Sequence, residues 1–320
     1  MRLIHLTDPH LTSLADQTLC SVRGKRRLGY LSWQRKRRFR HRPEILARVT
    51  EAVLQESPAQ IVISGDLAQV GLPAEIRAAR AWLESLGPPD RVALVPGNHD
   101  FYQADSWPAI YRNWGDYLGL AGQGWAPGAG SQQPAEFPWE RHLEGPAGGV
   151  TLIGLCSAYA APLLMADGRI GVDQLARLET AFCRARGLRC VLLHHPPLPG
   201  MAAWRKALRD ARRLGALLER HQPELVLHGH VHRNHAGPVV GTTRIFATAS
   251  ASSAQPGVPA SYRVFDIRAA EARPGEGRGR SPGPGWTVFM QLKGLTPDGQ
   301  VHMLEEDRWF LPFRQLASAP

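Results

Sequence analysis

Short apolar runs that end in aspartate, asparagine or histidine recur along this chain and constrain its fold more than any other feature. They are RLIHLTDPH (2–10), IVISGD (61–66), RVALVPGNHD (91–100), CVLLHHPP (190–197) and ELVLHGHVH (224–232). Helical patterns separate several of them, among them residues 44–56, which begin after Pro43, and residues 73–86. Apolar strands that alternate with helices predict a layered α/β domain with a site along one edge of its sheets.

Composition is that of an ordinary soluble chain: of 320 residues, 43% are hydrophobic and 21% are charged. No apolar run approaches the ~18 residues that a membrane span requires. The apolar N-terminal stretch is interrupted at once by His5 and Asp8, which is unlike a signal peptide, so we expect a cytoplasmic location. The cysteines are scattered and form no C-x-x-C pair, so we expect free thiols in packing roles at Cys20, Cys156, Cys183 and Cys190.

The strand ends collect side chains that bind metal ions. Carboxylates, an amide oxygen and imidazoles together suit divalent Mn, Fe or Zn, and they are too many for one tetrahedral ion but about right for two. Two pairs, Asp8 with His10 and His230 with His232, have i, i+2 spacing. In extended backbone this spacing directs both side chains of a pair to the same side. The candidate residues are Asp8, His10, Asp66, Asn98, His99, Asp100, His194, His195, His230 and His232.

In their order, these motifs resemble the signature of the calcineurin-like metallophosphoesterase superfamily. The signature is D-x-H, G-D, G-N-H-D/E, H and G-H-x-H, and it stands here as DPH (8–10), GD (65–66), GNHD (97–100), HH (194–195) and GHVH (229–232). The resemblance covers roughly residues 1–266. It implies a four-layer α/β (α+β) fold, in which helices flank a β-sandwich, and a metal-dependent phosphoric ester hydrolase. The layout is most similar to the bacterial branch that contains cyclic-nucleotide and glycerophosphodiester phosphodiesterases.

The resemblance also assigns roles. Asp8, His10 and His232 would hold one divalent ion, Asn98, His194 and His230 the other, and Asp66 would bridge both. His99 would stabilise or protonate the leaving oxygen, with Asp100 orienting its ring. His195 would face the substrate or support a ligand, and His228, outside the motif, would only pack. In such a site, a hydroxide shared by two ions about 3.5–4 Å apart attacks the phosphodiester.

A strongly basic segment, residues 21–42, separates the first motif from the first predicted helix. It holds ten Lys or Arg residues between positions 23 and 42 and no acid, around an aromatic and aliphatic centre. An anionic membrane surface would suit this pattern, and stacking with phosphate contacts would also suit nucleic acid. A solvated, partly packed insertion is the third interpretation. Because the segment follows the first motif closely, it is also a candidate substrate cap.

The rest of the chain yields a domain plan. We predict a catalytic domain over residues 1–266 and, over 267–320, a linker and a strand-rich extension that packs on the core. Glycine and proline predict loop at 121–149 and linker at 271–285. Residues 202–221 have the pattern of a basic amphipathic helix.

Three functions remain open at this stage. The first is a phosphodiesterase with two divalent ions. The second is a peripheral membrane pyrophosphatase that cleaves a lipid-linked nucleotide, as the UDP-diacylglucosamine hydrolases of this superfamily do. The third is a non-catalytic scaffold with this fold, although such scaffolds tend to lose ligands and every ligand position is filled here.

Overall fold

Two sheets form the middle of the molecule in the computed structural model, which describes residues 1–11, 13–120, 137–270 and 284–313. The first sheet has the spatial order β14 (Val301–Pro312), β13 (Gly285–Leu295), β12 (Ser261–Ala270), β1 (Arg2–Leu6), β2 (Gln60–Ile63) and β3 (Val92–Leu94). The second has the order β4 (Trp139–Leu143), β5 (Val150–Gly154), β6 (Leu188–Leu192), β7 (Leu225–His228), β9 (Arg244–Ala247) and β8 (His235–Ala236). A small hairpin pairs β10 (Ala254–Gln255) with β11 (Val258–Pro259).

Most of the helices cover the outer faces of the two sheets, whereas the two shortest belong to the basic segment. The helices are α1 (Arg26–Ser32), α2 (Arg38–Arg40), α3 (Pro43–Gln55), α4 (Pro73–Leu86), α5 (Trp107–Trp114), α6 (Val172–Arg184) and α7 (Ala211–His221). In the second sheet, Leu152 and Leu227 belong to the core shared with the first sheet, α3 and α4. Their strand neighbours Ile153 and Val226 belong to a second core with α6 and α7. This alternation produces the predicted four layers, helices on both sides of two packed sheets.

The order and direction of the strands position the polar strand ends. Strands β1, β2 and β3 run parallel, and so do β5, β6, β7 and β9. Parallel strands bring their carboxyl ends to one edge of a sheet. The five motifs therefore follow strand ends that lie close together, as the prediction of a site along one edge of the sheets requires.

The helices predicted over 44–56 and 73–86 agree closely with α3 and α4, but two other segments differ from the prediction. The long helix predicted over 202–221 is wrong in its first half, because only Ala211–His221 is α-helical and Trp204 is 71% exposed. The loop predicted over 121–149 is wrong at residues 139–143, which form strand β4 paired with β5. The part of that loop at 121–136 lies outside the described residues.

The C-terminal segment continues the first sheet. The boundary placed at residue 266 falls inside β12, and β13 and β14 add antiparallel to it. Most of the predicted linker, residues 271–283, lies outside the described residues, and the division into 1–266 and 267–320 stays a prediction. None of the four cysteines, all within the described residues, forms a disulfide; Cys156 and Cys190 are buried as the packing role predicts, but Cys20 and Cys183 are exposed. Among the helices of the described residues, none has the length and apolar character needed to cross a bilayer.

The basic segment packs against the rest of the chain. Its α1 continues into a π-helical turn, Trp33–Arg37, before α2. The rings of Tyr30 and Trp33 are buried in a small cluster with Leu14 and Val70. The aromatic centre is therefore largely an internal core, which favours the partly packed insertion for these two residues.

Candidate dinuclear metal centre

The loops that follow the strands hold their polar residues in an unusual backbone conformation. Left-handed backbone is uncommon for residues other than glycine, and it costs roughly 1–3 kcal/mol for each such residue. The expectation that the i, i+2 pairs lie in extended backbone is wrong, since β1 ends at Leu6 and β7 at His228. Their side chains converge instead through positive φ angles at Asp8 (49°), His10 (40°), Asp66 (59°), His230 (70°) and His232 (51°).

One group of candidate ligands gathers around the first motif. His232 Nε2 lies 3.2 Å from Asp8 Oδ1 and 3.4 Å from His10 Nε2. His10 Nε2 lies 3.8 Å from Asp66 Oδ2. The four side chains each offer one ligand atom within 4.8 Å of the others. These are the residues predicted for the first ion together with the predicted bridge.

A second group gathers around His194. Its Nε2 lies 3.1 Å from Asn98 Oδ1 and 3.1 Å from His230 Nδ1. The same nitrogen lies 3.4 Å from Asp66 Oδ2. The structure thus brings all seven predicted ligand residues together, and one carboxylate oxygen of Asp66 faces both groups.

Contacts behind the candidate ligands fix their orientation. The Nδ1 atoms of His10 and His194 lie 3.0 Å from Ala68 O and 2.7 Å from Ser64 O. In the neutral ring, a nitrogen bound to a carbonyl carries the proton, so Nε2 then keeps a lone pair directed into the cluster. Buried Asp8 Oδ1 accepts no hydrogen bond from the described residues. Such an unsatisfied carboxylate oxygen among imidazole lone pairs fits a bound cation.

Two motif glycines allow the loops to approach the carboxylates. A Cβ at Gly97 would lie 2.1 Å from Asp66 Oδ1, and a Cβ at Gly229 would lie 2.5 Å from Asp8 Oδ2. Neither distance is sterically allowed, so any larger residue would displace a candidate ligand.

Strong electrostatic coupling links Asp66 to the imidazoles. Burial alone would raise the pKa of Asp66, but the neighbouring His194 and His99 hold it well below its usual value. Burial would lower the pKa of His194, but the Asp66 carboxylate outweighs it and raises the pKa to about 9. Asp66 is therefore ionised at neutral pH and provides the negative charge at the centre of the cluster.

His99 lies beside the cluster, in contact with the basic segment. Its Nδ1 lies 2.6 Å from Arg37 Nη1 and 2.6 Å from Gln69 O, and Arg37 Nη1 also donates to Gln69 O at 3.0 Å. Burial lowers the pKa of His99 to about 4; Asp66 opposes this effect and Arg37 adds to it. The two contacts make opposite demands on Nδ1, because the guanidinium can only donate to it whereas the Gln69 carbonyl can only accept from it.

The role predicted for Asp100 needs correction. Its Oδ2 accepts hydrogen bonds from the backbone N–H of Asp66 and Gly97, both at 2.8 Å, and its Oδ1 accepts one from Ala68 at 2.8 Å. A carboxylate so occupied holds the two loops together and does not orient the His99 ring.

The remaining histidines divide into packed residues and residues near the site. His228 is buried and its Nδ1 contacts Gly229 O, as expected for a packing residue. His195 Nδ1 lies 2.8 Å from Ser157 Oγ, and its ring lies 4.5 Å from that of His230. The sequence reasoning missed Arg37 and His41, because a run of basic residues gave no sign that two of them turn inward.

Comparison with known proteins agrees with this geometry. Residues 1–234 match the family described as calcineurin-like phosphoesterase. The chain belongs to this family. It is a metal-dependent phosphoester hydrolase, and membership implies a dinuclear divalent metal centre, for which the two His/Asp groups are the candidate ligands.

Individual relatives differ in how much they resemble the chain. A probable cyclic nucleotide phosphodiesterase of Synechococcus sp. is 29% identical over 217 residues, which is 67% of this chain and 73% of that protein. A dimetal phosphatase from Danio rerio superposes with a TM-score of 0.58 at 13% identity, covering 96% of this chain and 98% of its own. Purple acid phosphatase PPD1 from yellow lupin gives a TM-score of 0.56 at 12% identity, covering 100% of this chain and 55% of its own. The solved structures support the fold.

Proposed function

We propose that the chain is a phosphodiesterase whose two divalent ions share Asp66. The observation that carries this proposal is the position of Asp66 Oδ2, 3.8 Å from His10 Nε2 and 3.4 Å from His194 Nε2. A carboxylate that lies between two separate groups of ligands would suit a pair of ions held close together.

The donor atoms fit divalent Mn, Fe or Zn. Imidazoles combined with carboxylate and amide oxygens suit these ions, and the site contains no thiolate ligand among the described residues. Asp8, His10 and His232 would hold the first ion, Asn98, His194 and His230 the second, and Asp66 both. When bound, such a pair supplies a deprotonated water as nucleophile and offsets negative charge on the phosphoryl oxygens.

His99 would then act on the leaving group. In the tautomer whose Nδ1 accepts from Arg37, the neutral ring carries an Nε2–H donor for the substrate. Such a donor stabilises the charge that develops on the leaving oxygen as the phosphorus–oxygen bond breaks. Arg37 would favour this tautomer by donating to Nδ1, against the Gln69 carbonyl, which favours a proton on the same nitrogen.

A cavity of about 270 Å³ adjoins His99 and offers room for the leaving group. It lies between the basic segment and residues 163–166, and Tyr102 and Arg37 contribute to its wall. In a phosphodiester one ester group leaves and the other stays on the phosphorus, so the substrate needs room on both sides of the bond that breaks. The Synechococcus relative, described as a probable cyclic nucleotide phosphodiesterase, supports the same substrate class.

Hydrolysis of paired model substrates tests the proposal. Protein stripped with a chelator and reloaded with Mn²⁺ is expected to cleave bis(p-nitrophenyl) phosphate with a kcat/KM at least about tenfold above that for p-nitrophenyl phosphate, a difference of ~1.4 kcal/mol. The stripped protein should be inactive with both. A preference for the monoester would contradict the diesterase proposal, and inactivity with two ions bound would favour the non-catalytic scaffold.

A lipid-linked pyrophosphate is a second candidate substrate, because exposed apolar side chains surround the mouth of this cavity. Leu28 is 44% exposed, Leu163 57% and Leu164 69%, and Phe39 on the same basic segment is 57% exposed. Exposed aliphatic and aromatic groups beside Lys and Arg side chains suit an anionic membrane surface. Residues 23–42 would be the part of the chain that meets the membrane.

Vesicle sedimentation tests this candidate without deleting the segment, whose Tyr30 and Trp33 are part of the core. The variant Phe39→Ser/Leu164→Ser is expected to lose most of the binding that the wild type shows to phosphatidylglycerol-containing vesicles. Circular dichroism should show that the variant keeps its fold. Leu54→Ser, on α3 and 40% exposed, is the matched control and should bind as the wild type does. Equal, negligible sedimentation of all three proteins would exclude the membrane-bound substrate.

A further inference from the structure

A further imidazole lies beside the first group of candidate ligands. His41 connects α2 to α3 and is only 6% exposed. Its ring centroid lies 4.3 Å from that of His10 and 5.3 Å from that of His232. One ring nitrogen from each of the three histidines lies within 4.8 Å of the others.

Two serines determine which nitrogen of His41 faces the cluster. Its Nδ1 lies 3.0 Å from Ser252 Oγ and 3.2 Å from Ser250 Oγ. Ser250 Oγ donates its hydrogen to Asp8 O at 2.6 Å, so toward His41 its oxygen acts as an acceptor of Nδ1–H, in addition to accepting from Ser252 N at 3.3 Å. A neutral ring that donates through Nδ1 keeps a lone pair on Nε2. His10 and His194 also have an oxygen behind Nδ1, in each case a backbone carbonyl.

The backbone holds His41 in this position from both sides. The residue pairs with Ser253 in an antiparallel bridge, and Arg42 N donates to Ser252 O at 3.0 Å. Pro43 then begins α3. The ring is thus positioned by the fold itself, as a metal ligand must be if it is to bind without a large ordering cost.

We propose that His41 is an additional ligand of the first metal ion, so that the basic segment contributes directly to the metal centre. The inference rests on the proposed function, because the proposed function places an ion between His10 and His232. The first ion would then have five protein ligands, Asp8, His10, His41, Asp66 and His232, against four for the second. This inequality implies that the two sites differ in affinity and that His41 affects only one of them.

Metal titration of the full chain tests this assignment. We expect His41→Ala to weaken binding of one Mn²⁺ by at least about 10–100-fold in calorimetry, the range seen when even a supporting group of a metal site is lost. The other Mn²⁺ should bind as in the wild type. His41→Gln, which retains length and an oxygen donor, should recover part of the affinity. With Co²⁺ in place of Mn²⁺, the visible absorption of both variants should differ from the wild type because a nitrogen ligand has been lost.

His302→Ala, which changes an exposed histidine on β14, is the matched control and should bind both ions normally. Circular dichroism checks that each variant is folded, and if His41→Ala does not fold, His41→Gln decides. Two ions bound with unchanged affinity and an unchanged Co²⁺ spectrum would overturn the inference, even if KM rose, because His41 would then contact substrate only. A wild type that binds no pair of ions would instead refute the proposed function.

Discussion

Replacing Asp66 by asparagine is expected to lower kcat on bis(p-nitrophenyl) phosphate by at least about 10³-fold, the scale reached when one group that offsets transition-state charge is lost. The change removes the negative charge that faces both ligand groups but keeps the size of the side chain. An amide oxygen can still accept the hydrogen bond that His99 N donates to Asp66 Oδ1 at 2.7 Å. The fold should therefore survive, and the loss should come from the metal centre.

Metal content measured together with rate gives the decisive comparison. Asp66→Asn should bind fewer than two Mn²⁺ ions per chain under conditions that saturate the wild type. Asp90→Asn, the same change at an exposed position, should retain both ions and full activity. If Asp66→Asn kept two tightly bound ions and a near-normal kcat, the shared carboxylate would have no role in the chemistry.

Much of the site was predictable because its residues follow parallel strands. The position of Asp8, Asp66 and His194 after apolar runs was enough to place them at one edge. The backbone that makes them converge was not predictable, since nothing local signals φ of 49° at an aspartate. That conformation is maintained by contacts between loops, such as Asp8 N to Gly65 O at 2.9 Å.

The basic segment shows more clearly which features could not be predicted from the sequence. Its charge pattern indicates a solvated surface, yet Arg26 is buried because it donates to Val70 O, Gly71 O and the Asp105 carboxylate. The serines that bind His41 lie more than 200 residues away along the chain. Periodicity and composition carry no information on partners at such separations, so the inward turn of the segment could not be foreseen.

Competition from distant partners also explains the helix that was predicted too long. Residues 205–209 have a helical pattern but pair with the segment that contains Gly168, through Gly168 N to Ala207 O and Arg209 N to Gly168 O. Asp210 then accepts hydrogen bonds from the backbone of Ile170 and Gly171, and α7 begins at the next residue. Tertiary hydrogen bonds outweigh a weak local preference for helix.

His99→Ala is expected to leave both metal ions in place and to lower kcat by about 10²–10⁴-fold, the usual contribution of a positioned proton donor. The ring lies beside the ligand groups and not within them, and its nearest polar contacts are Arg37 and Gln69. Calorimetry with Mn²⁺ should therefore give wild-type stoichiometry. His235→Ala, an exposed histidine three residues beyond the last motif, should be fully active.

The dependence on leaving group separates a donor to the leaving oxygen from a residue that only shapes the site. If His99 Nε2–H stabilises the leaving oxygen, the effect of His99→Ala should depend on the leaving group. The variant should lose more rate with a diester whose leaving alkoxide is strongly basic than with a diester that releases p-nitrophenolate, because p-nitrophenolate departs with little help. A plot of log kcat against the pKa of the leaving alcohol should therefore be steeper for the variant than for the wild type. Parallel plots, shifted by a constant amount, would assign His99 to positioning the phosphoryl group instead.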